Sequence, residues 1–320
     1  MEGVKHIMAI SKNVFGVMPS GENVYKYTLT NHHGVSADFI TLGGTWVTMN
    51  VPDRHGKMAD VILGYDNLEG YLSNNPHFGA IIGRNANRIG GAVITIDGVD
   101  YRLEANNGPN NLHSAPDLYH RRLWESETSE TDEGSCVTFS LKSPDKDQGY
   151  PGNASIQVSY TLTEDDSIRI RYRMICDKDT VANFTNHCYF NLAGHDSGSV
   201  MDQEVWLAAS RFTPADEVSI PTGEILPVEG TPMDFTQMKP LGRDIDEPYE
   251  ALILGHGYDH NWVLDHDPGI LSLAARAKDS KSGRMMETYT DLPGIQLYTA
   301  NFLNCLLYTS PSPRDPKTSR

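Results

Sequence analysis

Short segments of alternating apolar and polar residues, each closed by a turn signal, run through the chain from Val24 onward. The clearest pair is residues 93–96 and 99–103, joined by Asp97-Gly98, because Asp-Gly supplies the positive φ angles of a type I′ hairpin turn. Pro and Gly interrupt the longer candidate helices, leaving only short helical turns at residues 235–238 and 249–254. The pattern predicts an all-β fold. So many sequential hairpins favour a large antiparallel β-sandwich, since one flat sheet of that width would curl or split.

One later strand shows the expected two faces. Over residues 167–176, apolar side chains alternate with arginines: Ile168, Ile170, Tyr172 and Met174 against Arg169, Arg171 and Arg173. Successive side chains of a strand point to opposite sides of the sheet. The apolar set is therefore expected in the core.

The chain has no fixed-period repeat and no composition break that would separate two domains. We predict one domain over residues 12–304, with residues 1–11 as an N-terminal extension. From Cys305 the sequence continues Leu-Leu-Tyr-Thr-Ser-Pro-Ser-Pro. This composition differs from that of the strand-like segment before it. Residues 305–320 are therefore predicted to be a non-native or disordered tail, and a native disordered terminus is the alternative.

The balance of charge restricts the partners. The formal net charge is −16, from 42 acidic and 26 basic residues, so the summed field repels phosphate backbones and anionic lipid heads. Nucleic acid and membrane partners are not expected. The sequence contains no apolar run that suits a signal peptide or a membrane span. A cytoplasmic location is predicted, and nothing in the sequence indicates an oligomeric state.

The cysteines fit a reducing compartment. Each of the four lies in or beside a strand-like run and none forms a CxxC pair: Cys136, Cys176, Cys188 and Cys305. Free buried thiols are expected rather than disulfides or a zinc site.

The strongest candidate site is residues 183–192, Asn-Phe-Thr-Asn-His-Cys-Tyr-Phe-Asn-Leu. Here His187 stands among amides and aromatic rings, a composition that suits a polyhydroxylated ring. Asparagine disfavours strands, so the three asparagines indicate a functional segment.

Three further clusters combine glycine-permitted backbone with arginine or amide donors, at residues 83–91 with 106–113, 257–262 and 293–299. Amides give both a donor and an acceptor, and arginine gives a bidentate donor. Such groups recognise neutral hydroxyls.

Together these motifs resemble the aldose 1-epimerase (galactose mutarotase) family over residues 12–303. The matching segments are residues 51–54, 63–65, 83–90, 106–113, 186–194, 220–224, 230–235, 257–264, 282–284 and 293–303. The resemblance implies a β-supersandwich that interconverts the α and β anomers of aldohexoses such as glucose and galactose.

The resemblance also implies roles for individual residues. His187 is expected to be the general acid, with a pKa near the ordinary histidine value, and His113 a second active-site histidine. Binding roles are implied for Asn87, Arg88, Tyr189, Asp259 and Gln296. Each has a structural alternative, such as a turn histidine at His113, a capping carboxylate at Asp259 or core packing at Tyr189. Arg84 is predicted to be structural.

The resemblance does not include the general base. The family's base is a glutamate in a late motif, and no glutamate follows Glu287 in this chain. The chain as written is therefore expected to be inactive. A non-catalytic sugar-binding β-sandwich is one alternative, and a relative acting on a hexose phosphate is another.

No metal or other cofactor is expected, because proton transfer alone can open and close the sugar ring. Gly255 and Gly257 deny His256 and His260 a shared helix, and the adjacent His32 and His33 would point to opposite sides of a strand.

Overall fold

The computed structural model describes residues 9–73 and 76–303. These described residues form two compact units: the first comprises residues 9–51, 58–73 and 76–190, and the second comprises residues 52–57 and 191–303. Strands dominate both units, and the predicted all-β antiparallel fold is confirmed. The predicted tail at 305–320, with Cys305, lies outside the described residues, as does most of the predicted extension at 1–11. The proposed domain boundaries remain a prediction.

The first unit is built on two larger sheets. A five-stranded sheet has the order β1-β2-β3-β4-β5, a four-stranded sheet has the order β11-β12-β13-β14, and β6 with β15, β7 with β10 and β8 with β9 form two-stranded pairs. The strands of this unit are β1 Ala9–Val17, β2 Asn23–Thr30, β3 Ser36–Ile40, β4 Thr45–Pro52, β5 Met58–Asp60, β6 Ile81–Ile82, β7 Arg88–Ile89, β8 Val93–Ile96, β9 Val99–Arg102, β10 Asn111–Leu112, β11 Glu125–Thr131, β12 Gly134–Ser143, β13 Ala154–Thr163, β14 Ile168–Cys176 and β15 Thr185–Asn186.

One apolar cluster lies between these two sheets. Phe39 of β3 and Tyr160 of β13 are fully buried, with ring centroids 4.6 Å apart, and Phe139 of β12 packs against Tyr160. Aromatic side chains bury more apolar surface than most others. The alternation of β12 and β13 places these rings on one face of the sheet, so the unit is a sandwich.

One local prediction for this unit is confirmed and a second holds in part. β8 and β9 form the expected hairpin, with Ile96 opposite Val99 and positive φ at both Asp97 and Gly98. In β14, Ile168, Ile170 and Met174 pack against the core, whereas Tyr172 is 36% exposed and stacks on Phe184. Arg169 and Arg171 lie on the opposite face beside Glu133.

The second unit also has two sheets, with the orders β19-β16-β21-β22 and β18-β17-β20-β23. Its strands are β16 Glu204–Leu207, β17 Arg211–Thr213, β18 Leu226–Pro227, β19 Lys239–Pro240, β20 Asp259–Val263, β21 Ser272–Lys278, β22 Met285–Thr290 and β23 Gly294–Tyr298. Its core contains Leu207, Phe212, Phe235 and Trp262.

The described helices are short. The α-helices are α1 Leu68–Leu72 and α2 Glu250–Gly255, and the 3₁₀ turns are Gly90–Ala92, Tyr119–Arg121, Asp147–Gly149 and Leu241–Arg243. The prediction at 249–254 is confirmed by α2. The prediction at 235–238 is wrong, because Phe235 enters the core and the side chain of Asp234 bonds the Thr236 amide in a turn. Within the described ranges, every helix is too short to cross a membrane.

Three of the cysteines fall in the described part of the chain. Cys136, Cys176 and Cys188 are all free thiols; Cys136 is buried, as predicted, whereas Cys176 and Cys188 are only partly buried. Burial raises the pKa of the Cys188 thiol well above its usual value, so this neighbour of His187 is a poor nucleophile.

Candidate active site

Histidine rings gather at one place in the first unit. The ring centroids of His77, His113 and His187 form a nearly regular triangle, with sides of 5.3, 5.3 and 5.6 Å. His120 lies 4.5 Å from His77. All these contacts are edge-to-face. The structure thus brings together His113 and His187, the two histidines singled out in the sequence.

The pairing of β6 with β15 positions His187. Its backbone N–H donates to the carbonyl of Ala80 at 2.9 Å, and its own carbonyl accepts from the Gly79 N–H at 3.0 Å. Gly79 has a φ of 65°, and a Cβ there would lie 1.9 Å from the carbonyl oxygen of Trp46. Only glycine allows residue 79, which holds the His187 backbone, to lie so close to Trp46 of β4.

The pairing of β7 with β10 positions His113. Leu112 lies opposite Arg88, and His113 and Asn87 exchange two hydrogen bonds. The His113 N–H donates to the Asn87 carbonyl, and the Asn87 N–H donates to Nδ1 of His113, each at 3.0 Å. Because Nδ1 accepts a hydrogen bond, the proton of neutral His113 lies on Nε2.

Arg88 is held by amides. Its Nε donates to Oδ1 of Asn107 at 3.0 Å, and Nη1 lies 3.4 Å from Oδ1 of Asn87. The structure therefore places Asn87 and Arg88 beside His113.

His77 and His120 are joined through their Nδ1 atoms, which lie 3.2 Å apart. Two neutral rings can share this contact only if one carries its proton on Nδ1 and the other on Nε2. Nε2 of His120 is buried and has no partner among the described residues. A buried N–H without an acceptor is rarer than an unpaired acceptor. We therefore assign His120 as the Nδ1–H donor and His77 as the Nε2–H tautomer.

The three histidines around His187 are neutral near pH 7. Burial, with the charges of His120, His187 and Arg121, lowers the pKa of His77 to about 3. Burial lowers the pKa of His120 to about 4, with Arg121 and His187 contributing. The pKa of His113 is also well below the ordinary value, chiefly through burial and then through the charge of His187.

The expectation that His187 keeps an ordinary pKa is wrong. Burial lowers its pKa, although a hydrogen bond with its own backbone opposes the shift. Desolvation disfavours the charged imidazolium. A proton placed on His187 is therefore released more readily than from an exposed histidine.

Tyr189 belongs to the same surroundings. Its ring centroid lies 5.3 Å from that of His187 and 5.1 Å from that of Phe78. The ring thus packs beside the histidine cluster.

The three asparagines of residues 183–192 bond to the protein itself. Asn186 donates to the carbonyl of Gly79 and to the hydroxyl of Tyr160. Asn183 donates to the carbonyl of Ala86, and Asn191 organises its own loop through the Gly198 carbonyl. Their strand-breaking character has a structural reason, which the sequence interpretation missed.

Arg84 is structural, as predicted. Its guanidinium is fully buried and donates to the carbonyls of Ser143, Pro151 and Gly152. A buried cation with this many acceptors holds loops together.

Asp259 and Gln296 lie in the second unit, on β20 and β23. Nε2 of Gln296 donates to Oδ1 of Asp259 at 2.8 Å, and Asn261 stands opposite Gln296 in the strand register. The carboxylate and amide predicted to bind hydroxyls therefore form one polar pair.

Sequence reasoning missed His77 and His120. Neither stands in a segment with an evident sugar-binding pattern. Their positions near His187 depend on β6 pairing with β15, a contact between residues distant in sequence. Over residues 9–73 and 76–303, no three His, Cys, Asp or Glu side chains are arranged to hold a metal ion.

Comparison with known proteins gives one family. Residues 25–319 match the aldose 1-epimerase family. The chain is 39% identical to galactose mutarotase of Bos taurus, over 98% of this chain and 88% of the relative. It is 33% identical to aldose 1-epimerase of Escherichia coli K12, over 89% of this chain and 81% of the relative.

Solved structures agree on the fold. The crystal structure of galactose 1-epimerase from Lactobacillus acidophilus has a TM-score of 0.83 at 23% identity, covering 93% of this chain and 85% of that one. An aldose epimerase homologue from C. elegans has a TM-score of 0.77 at 30% identity, covering 86% and 82%. Given the matched family, the close relatives and the shared fold, this chain belongs to the aldose 1-epimerase family of isomerases.

Proposed function

We propose that the site of this protein interconverts the α and β anomers of aldohexoses by acid and base catalysis. The observation that carries the proposal is the cluster of neutral imidazoles around His187. Ring opening removes the proton of the anomeric hydroxyl, forms the C1 carbonyl and breaks the bond to the ring oxygen, which takes a proton. Rotation and reclosure give the other anomer.

His187 is the proton donor to the ring oxygen in this proposal. A histidine can give and then recover a proton, as a reversible reaction requires. Burial lowers the pKa of His187, which makes its imidazolium a stronger acid. His113, with its proton on Nε2, can donate a hydrogen bond to a sugar oxygen and assist the transfer.

The remaining residues bind hydroxyl groups. Arg88 and Asn87 supply donors beside His113, and Tyr189 supplies a ring for packing. Asp259 supplies acceptors, held by Gln296 at 2.8 Å. The substrate class is a neutral aldohexose, either galactose, which the name of the bovine relative contains, or glucose.

The lack of a glutamate to act as general base is expected to limit catalysis by this chain. Residues 288–320 contain no glutamate, whereas the family resemblance calls for one late in the sequence. We therefore expect the 320-residue chain to bind aldohexose weakly and to catalyse little. A non-catalytic sugar-binding role is the alternative that this feature favours.

We assign the protein to hexose or galactose metabolism in the cytoplasm. The free thiols Cys136, Cys176 and Cys188 support a reducing compartment. The net charge of −16 supports the absence of nucleic acid and membrane partners.

The test of the base compares the 320-residue chain with a chain whose residues 305–320 are replaced by the C-terminal segment of bovine galactose mutarotase. Polarimetry on freshly dissolved α-galactose and α-glucose measures the rate. The replaced chain is expected to be the faster catalyst. If the unaltered chain already accelerates mutarotation well above buffer, the base lies among residues 1–304 or in the tail itself.

The test of the acid is His187→Asn in the replaced chain. A general acid contributes roughly 10²–10⁴ in rate, so polarimetry should show a loss of about a hundredfold or more with sugar binding kept. His32→Asn, at an exposed histidine, is the matched control and should leave the rate unchanged. Activity near that of the parent in His187→Asn would refute the assignment.

A further inference from the structure

The geometry points to His77 as a third imidazole that contacts the sugar, with His120 as the residue that positions it. This inference rests on the proposed function and extends it to a pair that the family resemblance does not include.

The first support is the place of His77. Its ring is in edge-to-face contact with both His113 and His187, at 5.3 and 5.6 Å, and it also contacts His120 at 4.5 Å. His77 thus stands between His120 and the two predicted active-site histidines. A sugar that reaches both of those rings is also within reach of the third.

The second support is the direction of the hydrogen bond. Nδ1 of His77 faces Nδ1 of His120 at 3.2 Å. The two nitrogens of an imidazole direct their bonds in nearly opposite directions, so Nε2 of His77 is directed away from His120. With the tautomer set by His120, that nitrogen carries a hydrogen. It is an N–H donor suited to a sugar hydroxyl or ring oxygen.

The third support is accessibility. His77, His113 and His187 are all partly exposed, whereas His120 is only 2% exposed. The three residues of the triangle therefore keep part of their surface accessible to a small ligand, and His120 is packed against His77 away from solvent.

Backbone conformation adds a fourth support. His77, Asn87 and His113 have φ angles of 61°, 63° and 57°. This region is uncommon for residues other than glycine, and such residues concentrate at functional sites. The structure holds His77 in the same unusual conformation as the two residues already predicted to bind sugar.

The decisive experiment is NMR of the full chain labelled with ¹⁵N-histidine, because it needs no catalysis. Long-range ¹H–¹⁵N spectra near pH 7 should show His77 protonated on Nε2 and His120 on Nδ1. Addition of D-galactose or D-glucose should shift the Nε2 resonance of His77 together with those of His113 and His187. Galactitol, which has the hydroxyls but no ring, should produce no saturable shift.

Two variants distinguish the Nε2–H donor of His77 from the hydrogen bond that its Nδ1 makes with His120. The amide nitrogen of glutamine can replace Nε2, and that of asparagine lies closer to Nδ1. His77→Gln should keep the dissociation constant for galactose within about threefold, whereas His77→Asn should raise it about tenfold, the effect of one lost hydrogen bond. His32→Gln, on the surface, is the matched control and should bind as the parent does.

The outcomes are distinct. Sugar shifts at His113 and His187 without a shift at His77, or the opposite tautomers at His77 and His120, would overturn this inference and leave the proposed function standing. Equal affinities of His77→Gln and His77→Asn would do the same. If neither hexose shifts any histidine even at sugar concentrations near the solubility limit, where weak binding is detected, both the inference and the proposed function fail.

Discussion

At the scale of single residues, the sequence predicts the polar groups that stand in recognisable motifs and misses those that do not. His113 and Asn87 could be named because Asn-rich, glycine-rich segments surround them, and their mutual hydrogen bonds follow. His77 and His120 could not, because an isolated histidine carries no spacing signal. The lowered pKa of His187 was also out of reach, since desolvation depends on packing from distant segments.

Burial of His120 makes a prediction about acid stability. Its pKa is about 4 in the folded protein, through burial first and then Arg121 and His187, against about 6.5 when unfolded. Between these values the unfolded chain binds a proton that the native state does not. The free energy of unfolding therefore falls as pH falls, by about 1.4 kcal/mol per pH unit for this group.

His120→Asn should make that fall shallower between pH 6.5 and 4, whatever its stability at pH 7. Urea unfolding at several pH values measures the slope. His32→Asn, at an exposed histidine, is the control and should keep the parental slope. The same slope in His120→Asn and the parent would contradict a neutral buried ring.

At the scale of elements, local signals were sufficient for some strands and not for others. The hairpin of β8 and β9 was predictable because Asp97-Gly98 fixes the turn within the segment. β6 and β15 have two residues each and pair across the sequence, so no local pattern marks them. The failed helix at 235–238 shows the same limit, because burial of Phe235 overrides local propensity.

Gly79→Ala tests the close packing of Gly79 against Trp46 of β4. The added Cβ would meet the Trp46 carbonyl at 1.9 Å, so Gly79 must move, and with it the His187 carbonyl to which it donates. Overpacking and the positive φ together should cost about 3 kcal/mol of unfolding free energy. Urea denaturation gives the cost, and the ¹⁵N resonances of His187 should shift.

Gly98→Ala is the matched variant for that experiment. Gly98 also has a positive φ, of 76°, but its Cβ would meet nothing within 4 Å. Only backbone strain applies, with a cost of about 1 kcal/mol. A loss as small in Gly79→Ala as in Gly98→Ala would show that the close approach is not required.

At the scale of the whole molecule, the pattern of short alternating segments and turns predicted the fold class but not the division of the described residues into two compact units. Each unit has its own apolar core. The strand-like sequence pattern continues through both units without a break in composition. The segment Pro52–Lys57 leaves the first unit and joins the second, where Arg54 bonds the Ser282 carbonyl. A prediction that divides the sequence into continuous domains cannot assign this segment to the second unit.

The net charge of −16 gives a prediction about substrate charge. D-galacturonate has the ring of galactose and one carboxylate, so it should bind several-fold more weakly than galactose at low salt, and the gap should narrow as salt screens the field. Titrations followed through the histidine resonances measure the two dissociation constants and their dependence on salt. Tighter binding of galacturonate at low salt would show that Arg88 and Arg121 dominate locally, and would favour a hexose phosphate.

The hydrogen bond between Arg88 and Asn107 makes the site sensitive to slow chemical change of Asn107. Asn107 is followed by Gly108, and asparagine before glycine loses its side-chain amide most readily, because the unhindered glycine nitrogen attacks that group. Deamidation would place a carboxylate against Nε of Arg88, where a neutral oxygen now accepts at 3.0 Å. The guanidinium proposed to hold the sugar would then be paired with an anion. Old and fresh preparations should differ in sugar affinity as well as in charge. The cyclic imide that forms on loss of ammonia opens with water to aspartate or isoaspartate, and Asn107→Asp reproduces the aspartate product.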